Sequence, residues 1–105
     1  MAERVGRDEF EGRVLSNGKL SLIEFYHDGC VACKMLSPVL AEIEEKYGEQ
    51  LYVGKVNTVY EEELTEEYKV KASPTLIFFK DGRPLLKLIG TQKKNELEKI
   101  IEENL

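Results

Sequence analysis

A chain of 105 residues, 42% hydrophobic and 33% charged, has the make-up of one soluble globular domain, residues 1–105, able to form a core without disulfides or metals. Its net charge of −5 argues against a nucleic-acid surface, because neutralising phosphates needs clustered Lys and Arg. No apolar run approaches the roughly 20 residues that cross a bilayer, and the opening "MAERVGRDEF" has neither the apolar stretch nor the cleavage site of a secretory leader. A cytoplasmic protein is expected, without nucleic-acid or membrane partners, in a compartment that keeps thiols reduced.

In chain order, Arg4-Val5 suggests a short edge strand. Asp8 is placed to cap a first helix with Phe10, Val14 and Leu15 inward, ending at Asn17-Gly18. "LSLIEFYH" (20–27) is a nearly continuous apolar run suited to a strand buried on both faces. From Cys30 the spacing becomes helical, with Ala32, Met35, Leu36, Val39, Leu40, Ile43 and Tyr47 on one face and Gly48 as the stop. Pro38 lies inside this helix, where it removes one backbone hydrogen bond and favours a kink.

"LYVGKVN" (51–57) reads as a second buried strand, and Tyr60, Leu64 and Tyr68 mark a short third helix. "TLIFF" (75–79) and "LLKLIG" (85–90) flank an Asp-Gly turn and predict an antiparallel hairpin. A last helix from about Lys93 buries Leu97, Ile100, Ile101 and Leu105. Strands that alternate with helices and finish in a hairpin indicate an α/β fold, a central mixed sheet flanked by helices on both faces.

Both cysteines lie in "YHDGCVACKML" (26–36), beside the chain's one histidine. Cys30 follows a buried strand and starts a long helix, with Cys33 one turn on. Free backbone N–H groups and the positive end of the helix dipole favour an anion there. A thiolate is such an anion, and cysteines so placed have a pKa lowered to about 3.5–7.5. The competing chemistry is zinc, which wants four Cys or His ligands. Cys30, Cys33 and His27 supply three, with Asp28 or a partner chain as a fourth. A strand reaching His27 turns that ring away from the sulfurs, so no metal site is expected.

At this point the sequence resembles the thioredoxin family over nearly its whole length. "LIEFYHDGCVACKMLSPVLAEI" is similar to the family's buried strand, active-site turn and Pro-containing helix. "SPTLIFFKDGRP" is similar to its cis-proline loop and hairpin, and Gly90 falls where the family keeps a glycine beside the site. The resemblance implies a thioredoxin fold and a monomeric thiol–disulfide oxidoreductase that reduces disulfides of cytoplasmic proteins. Cys30 would be the exposed nucleophile, and Cys33 would resolve the mixed disulfide. No cofactor is implied beyond the redox-active disulfide Cys30–Cys33. The implied partners are disulfide-containing proteins and a thioredoxin reductase-type electron donor. The resemblance also implies a cis bond between Ser73 and Pro74, with the Ser73 backbone pairing to an extended substrate.

Glu24 interrupts the apolar second strand, where burial without a partner costs several kcal/mol or raises its pKa. Lys55 is a partner candidate on a neighbouring strand. In the family the matching acid lies below the resolving cysteine with a lysine beside it, which implies that Glu24 helps Cys33 lose its proton. The family more often has Asp at this position. It also usually has an aromatic residue where Gly29 stands, Gly-Pro where Val31-Ala32 stands, and an apolar residue where Ser73 stands. These positions shape the docking surface, so Gly29, Val31, Ser73, Pro74 and Gly90 are the substrate-binding candidates. Val31-Ala32 carries no charge to stabilise a thiolate, which points to a reductant. Within the fold, a dedicated electron donor to one client enzyme is the alternative. From another class come a non-catalytic interaction domain and a metal-binding module.

Overall fold

The structure is a computed structural model that describes residues 2–105. A five-stranded mixed sheet runs through it in the order β1-β3-β2-β4-β5, with β1 (Glu3–Arg4), β2 (Leu20–Tyr26), β3 (Leu51–Asn57), β4 (Thr75–Lys80) and β5 (Arg83–Ile89). The first three strands are mutually parallel, and β4 pairs antiparallel with both β2 and β5. The α/β architecture expected from the element order is the one observed.

Alternation of side chains along the strands divides the interior in two. Leu20 and Leu22 of β2, Val53 of β3 and Phe78 of β4 face α2 (Val31–Tyr47) and α4 (Lys94–Asn104). Ile23, Phe25, Val56 and Phe79 face the other way, toward Phe10 and Val14. These belong to α1 (Arg7–Phe10) and its continuation as a wider turn, Glu11–Leu15, with α3 (Glu62–Glu67) adding Leu64. Here Tyr68 and Phe10 each meet Phe79 nearly edge-on, with ring centroids 5.1 and 5.4 Å apart, the arrangement that aromatic quadrupoles favour.

Several helix details differ from the sequence expectation. The first helix is capped at Gly6 rather than Asp8, the Glu9 carboxylate turning back to accept the Gly6 N–H at 3.0 Å. Asn17 does close the segment, its amide donating to the Arg13 carbonyl. Leu15, Val39 and Ile100 are only partly buried, while Met35, Tyr60 and Leu105 are exposed. The third helix starts two residues after Tyr60, so that ring falls in the preceding turn. α2 passes through Pro38 without a break.

The hairpin turn places Asp81 and Gly82 at φ 54° and 81°, both left-handed, as a two-residue connection matching strand twist requires. Strand β5 starts at Arg83, earlier than the expected Leu85, and so takes in Pro84. An outer strand tolerates proline, and the ladder is irregular beside it at Phe78/Phe79.

β3 can lie close under the first segment only because Gly54 has no side chain. A Cβ there would stand 2.9 Å from the Tyr52 ring and 3.0 Å from the Val5 Cγ2. Gly54→Ala is therefore expected to destabilise the protein by about 1–3 kcal/mol. Urea unfolding would show it as a lower midpoint at unchanged slope.

Candidate functional site

The parallel strands β2 and β3 end at the same edge of the sheet, β4 begins there with Thr75 opposite Phe25, and β5 ends there with Ile89 opposite Thr75. Four loops consequently gather at one end: 27–30, 58–61, 71–74 and 90–93. β2 delivers the chain to Cys30, which is the N-cap of α2.

Cys30 and Cys33 are joined by a disulfide, their Cα atoms 5.2 Å apart. The Cys33 backbone N–H donates to Cys30 Sγ at 3.1 Å. The sulfur thus occupies the acceptor position that Ser or Asp normally fills at a helix start. In the reduced state the same N–H and the dipole of a 17-residue helix face whatever charge Cys30 carries. Both cysteines are buried, Cys30 at 7% exposure and Cys33 at 4%. The expected exposed position of Cys30 is corrected accordingly. It is the more accessible sulfur, but it is recessed between exposed Gly29 and Val31.

His27 lies just beyond the end of β2, and its carbonyl accepts the Cys30 N–H at 3.2 Å. The His27 ring packs where a side chain at Gly29 would begin, 3.6 Å from that Cβ position. Among the described residues no group of three His, Cys, Asp or Glu side chains converges.

In the loop that leads into β4 the Ser73–Pro74 peptide is cis and Pro74 is buried. The Pro74 carbonyl accepts the Gly90 N–H at 2.8 Å. Gly90 takes φ 89°, a left-handed value that favours glycine. Gly29, Val31, Ser73, Pro74 and Gly90 therefore all lie on the loops or helix start at the disulfide end.

Glu24 belongs to the face of β2 that carries Leu20 and Leu22, beneath α2, and is 3% exposed. Its Oε2 has no hydrogen-bond partner. Burial pushes its carboxyl up from 4.5 to about 7, against the opposing pull of the Lys55 charge. Lys55 is the direct neighbour of Glu24 in the β2–β3 register, the neighbouring-strand relation expected of the two. It does not form an ion pair with it, however, and lies over the Tyr26 ring instead, 5.1 Å from the centroid.

Sequence reasoning missed two features. One is Tyr26 as the neighbour of Lys55. Its signal was the i, i+2 spacing from Glu24, which puts both on one face of a strand. The other is an apolar rim: Val31, Met35, Val59, Tyr60 and Ile89 are each more than three-fifths exposed, and they lie on the start of α2, the 58–61 loop and the last residue of β5 at this end. Val31 and Met35 stand four apart on α2, a spacing that could have marked a second, outward stripe.

Residues 2–103 match the family model described as Thioredoxin. The chain is 37% identical over 86 residues to a thioredoxin of Alicyclobacillus acidocaldarius, covering 82% of each chain. It is 33% identical over 101 residues to a thioredoxin of Acidithiobacillus ferridurans, covering 96% of this chain and 94% of the relative. A thioredoxin of Buchnera aphidicola is 32% identical over 96 residues, 91% of this chain and 89% of that one.

The buried acid makes stability depend on pH in a defined direction. Between 4.5 and about 7 the folded state holds the Glu24 proton that the unfolded chain has lost, so this contribution falls as pH rises through the window. Below the window it is fully present, and above about 7 it is gone, a change of order 3 kcal/mol. Glu24→Gln should lack this slope. The stability of the variant relative to wild type should rise from pH 4.5 to 7 and level off above, as urea titrations at each pH would record.

Proposed function

Since the chain belongs to the thioredoxin family and is a thiol–disulfide oxidoreductase, we propose that it acts as a reductant in the cytoplasm through Cys30 and Cys33. Family membership implies disulfide-containing substrates and a reductase that supplies electrons, and thioredoxins work through their own cysteine pair. The observation that carries the division of labour is the placement of the two sulfurs. Cys30, at the rim, accepts the Cys33 N–H at 3.1 Å, while Cys33 lies deeper in the first turn of α2.

In the proposed cycle the Cys30 thiolate attacks one sulfur of a substrate disulfide. The substrate S–S bond breaks, a mixed disulfide forms, and one substrate thiolate leaves. Cys33 then gives its proton to Glu24 and attacks Cys30 Sγ. The mixed disulfide breaks, the second substrate thiolate leaves, and Cys30–Cys33 closes. Two electrons have passed to the substrate, and a dithiol donor must restore the protein.

Glu24 suits its part because a base works best with a pKa near the operating pH, and its burial supplies that. Lys55 moderates the effect of burial. Gly29, Val31, Ser73, Pro74 and Gly90, with the apolar rim around them, form the proposed docking surface. An extended substrate segment can align on the Ser73 backbone while its flanking side chains cover Val31, Met35 and Ile89. The whole site comes from residues 24–90 of one chain, which supports a monomer built as one domain.

Two measurements test the reading. Cys30→Ser should abolish disulfide reduction, and Cys33→Ser should accumulate a mixed disulfide through Cys30. Equal trapping by both variants would show the roles to be wrongly assigned.

The second concerns the direction of exchange. With uncharged Val31-Ala32 between the sulfurs, the couple should lie nearer about −270 mV than about −120 mV. Equilibration against glutathione reads it, and a value above about −180 mV would indicate an oxidant or isomerase.

A further inference from the structure

Lys55 has a choice of neighbours. Glu24 and Tyr26 stand two apart on β2, and Lys55 is opposite Glu24 on β3. Strand side chains alternate between faces, so all three project from the face that α2 covers. An ammonium beside a buried carboxylate ordinarily closes an ion pair with it. Here it rests over the Tyr26 ring, 5.1 Å from the centroid, while Glu24 Oε2 goes without a partner.

We propose that Tyr26 is a positioning residue whose ring holds the Lys55 ammonium off Glu24, leaving the carboxylate outside an ion pair and open to the Cys33 proton. The last step rests on the role given to Glu24 above, whereas the placement of Lys55 does not.

The two resting places compete for the ammonium. The negative face of an aromatic ring attracts a cation, most strongly where both are desolvated. Opposite charges within about 4–6 Å lower an acid's pKa by about 1–3, enough to return Glu24 to the ordinary carboxylate range. An acid so lowered would hold its charge at neutral pH and be a poor acceptor for a thiol proton.

The other groups around Glu24 cannot substitute for this control. β4 offers Leu76 as its register partner. α4 brings only Leu97 and Ile101 into the interior, and the first turn of α2 brings Cys33. Lys55 is the charged group that acts on Glu24 from the packed elements, so where its ammonium rests sets the proton affinity of the acid.

The test is a carboxyl-carbon NMR titration of Glu24 in the oxidised protein. Tyr26→Leu should lower the Glu24 midpoint by about one pH unit or more, and Tyr26→Phe, which keeps the ring, should leave it at the wild-type value. In a Lys55→Met background Tyr26→Leu should no longer lower it. An unchanged midpoint in Tyr26→Leu, or the same drop without Lys55, overturns the proposal. In the wild type, the Lys55 side-chain methylene protons next to the ammonium should be shifted upfield by the ring current. Their appearance at free-lysine values also overturns it, whether or not the leucine variant folds. The titration reads Glu24 whatever its part in catalysis. Should Glu24→Gln resolve mixed disulfides at the wild-type rate while Tyr26→Leu still lowers the midpoint, the proton-acceptor role fails and the placement of Lys55 stands.

Discussion

Because β2 is hydrogen-bonded to β3 on one edge and β4 on the other, with helices over both faces, its backbone cannot shift without breaking two ladders at once. Five of its first six residues are apolar or carboxylate-bearing side chains at 3% exposure or less. That rigidity is exported at the C-terminal end. The strand stops at Tyr26, three residues turn, and Cys30 is set as the first acceptor of α2. A redox pair on a floppy loop would lose the Cys33 N–H that meets Cys30 Sγ, and with it the preference for a thiolate at that point. Docking α2 through Leu36, Leu40 and Ile43 against the sheet holds the other side of the turn.

The same strand places a carboxylate where solvent cannot reach it. Most buried acids are paired, and Lys55 stands opposite Glu24 on β3 as the candidate for such a pair. The protein instead leaves the acid with an affinity for protons near neutrality, at a stability cost that builds up as pH rises from 4.5 to about 7. Such a cost is typical of a functional site, where local stability is given up for a group with a tuned pKa. The surrounding core absorbs it.

At the rim the balance is reversed. The side chains a core would welcome, Val31, Met35, Val59, Tyr60 and Ile89, are turned outward. Scattered apolar residues on a surface need no explanation, whereas several gathered at the disulfide end of the sheet are the feature on which the proposed docking surface rests. Gly29 and Gly90 add no side chain at this end, and the His27 ring packs toward Gly29.

The linear pattern was enough to identify the order of elements along the chain, the helix that starts at Cys30, the hairpin with its Asp81-Gly82 turn, and the pair of cysteines with an acid upstream. Each is a local matter: side-chain period, turn chemistry and helix-end electrostatics act over a few residues. It could not decide which stripe of an amphipathic helix faces inward when two stripes are apolar. Met35, assigned to the core by spacing, is exposed next to buried Leu36 on α2, and Tyr60 is exposed because it falls in the turn before α3. Nor could it decide the partner of Lys55. Register put the lysine beside Glu24, as expected, but the ring two residues further along β2 competes for the same ammonium. Only the packed face beneath α2 decides between a carboxylate and an aromatic ring, because both interactions depend on distance and burial, which the order of residues does not contain.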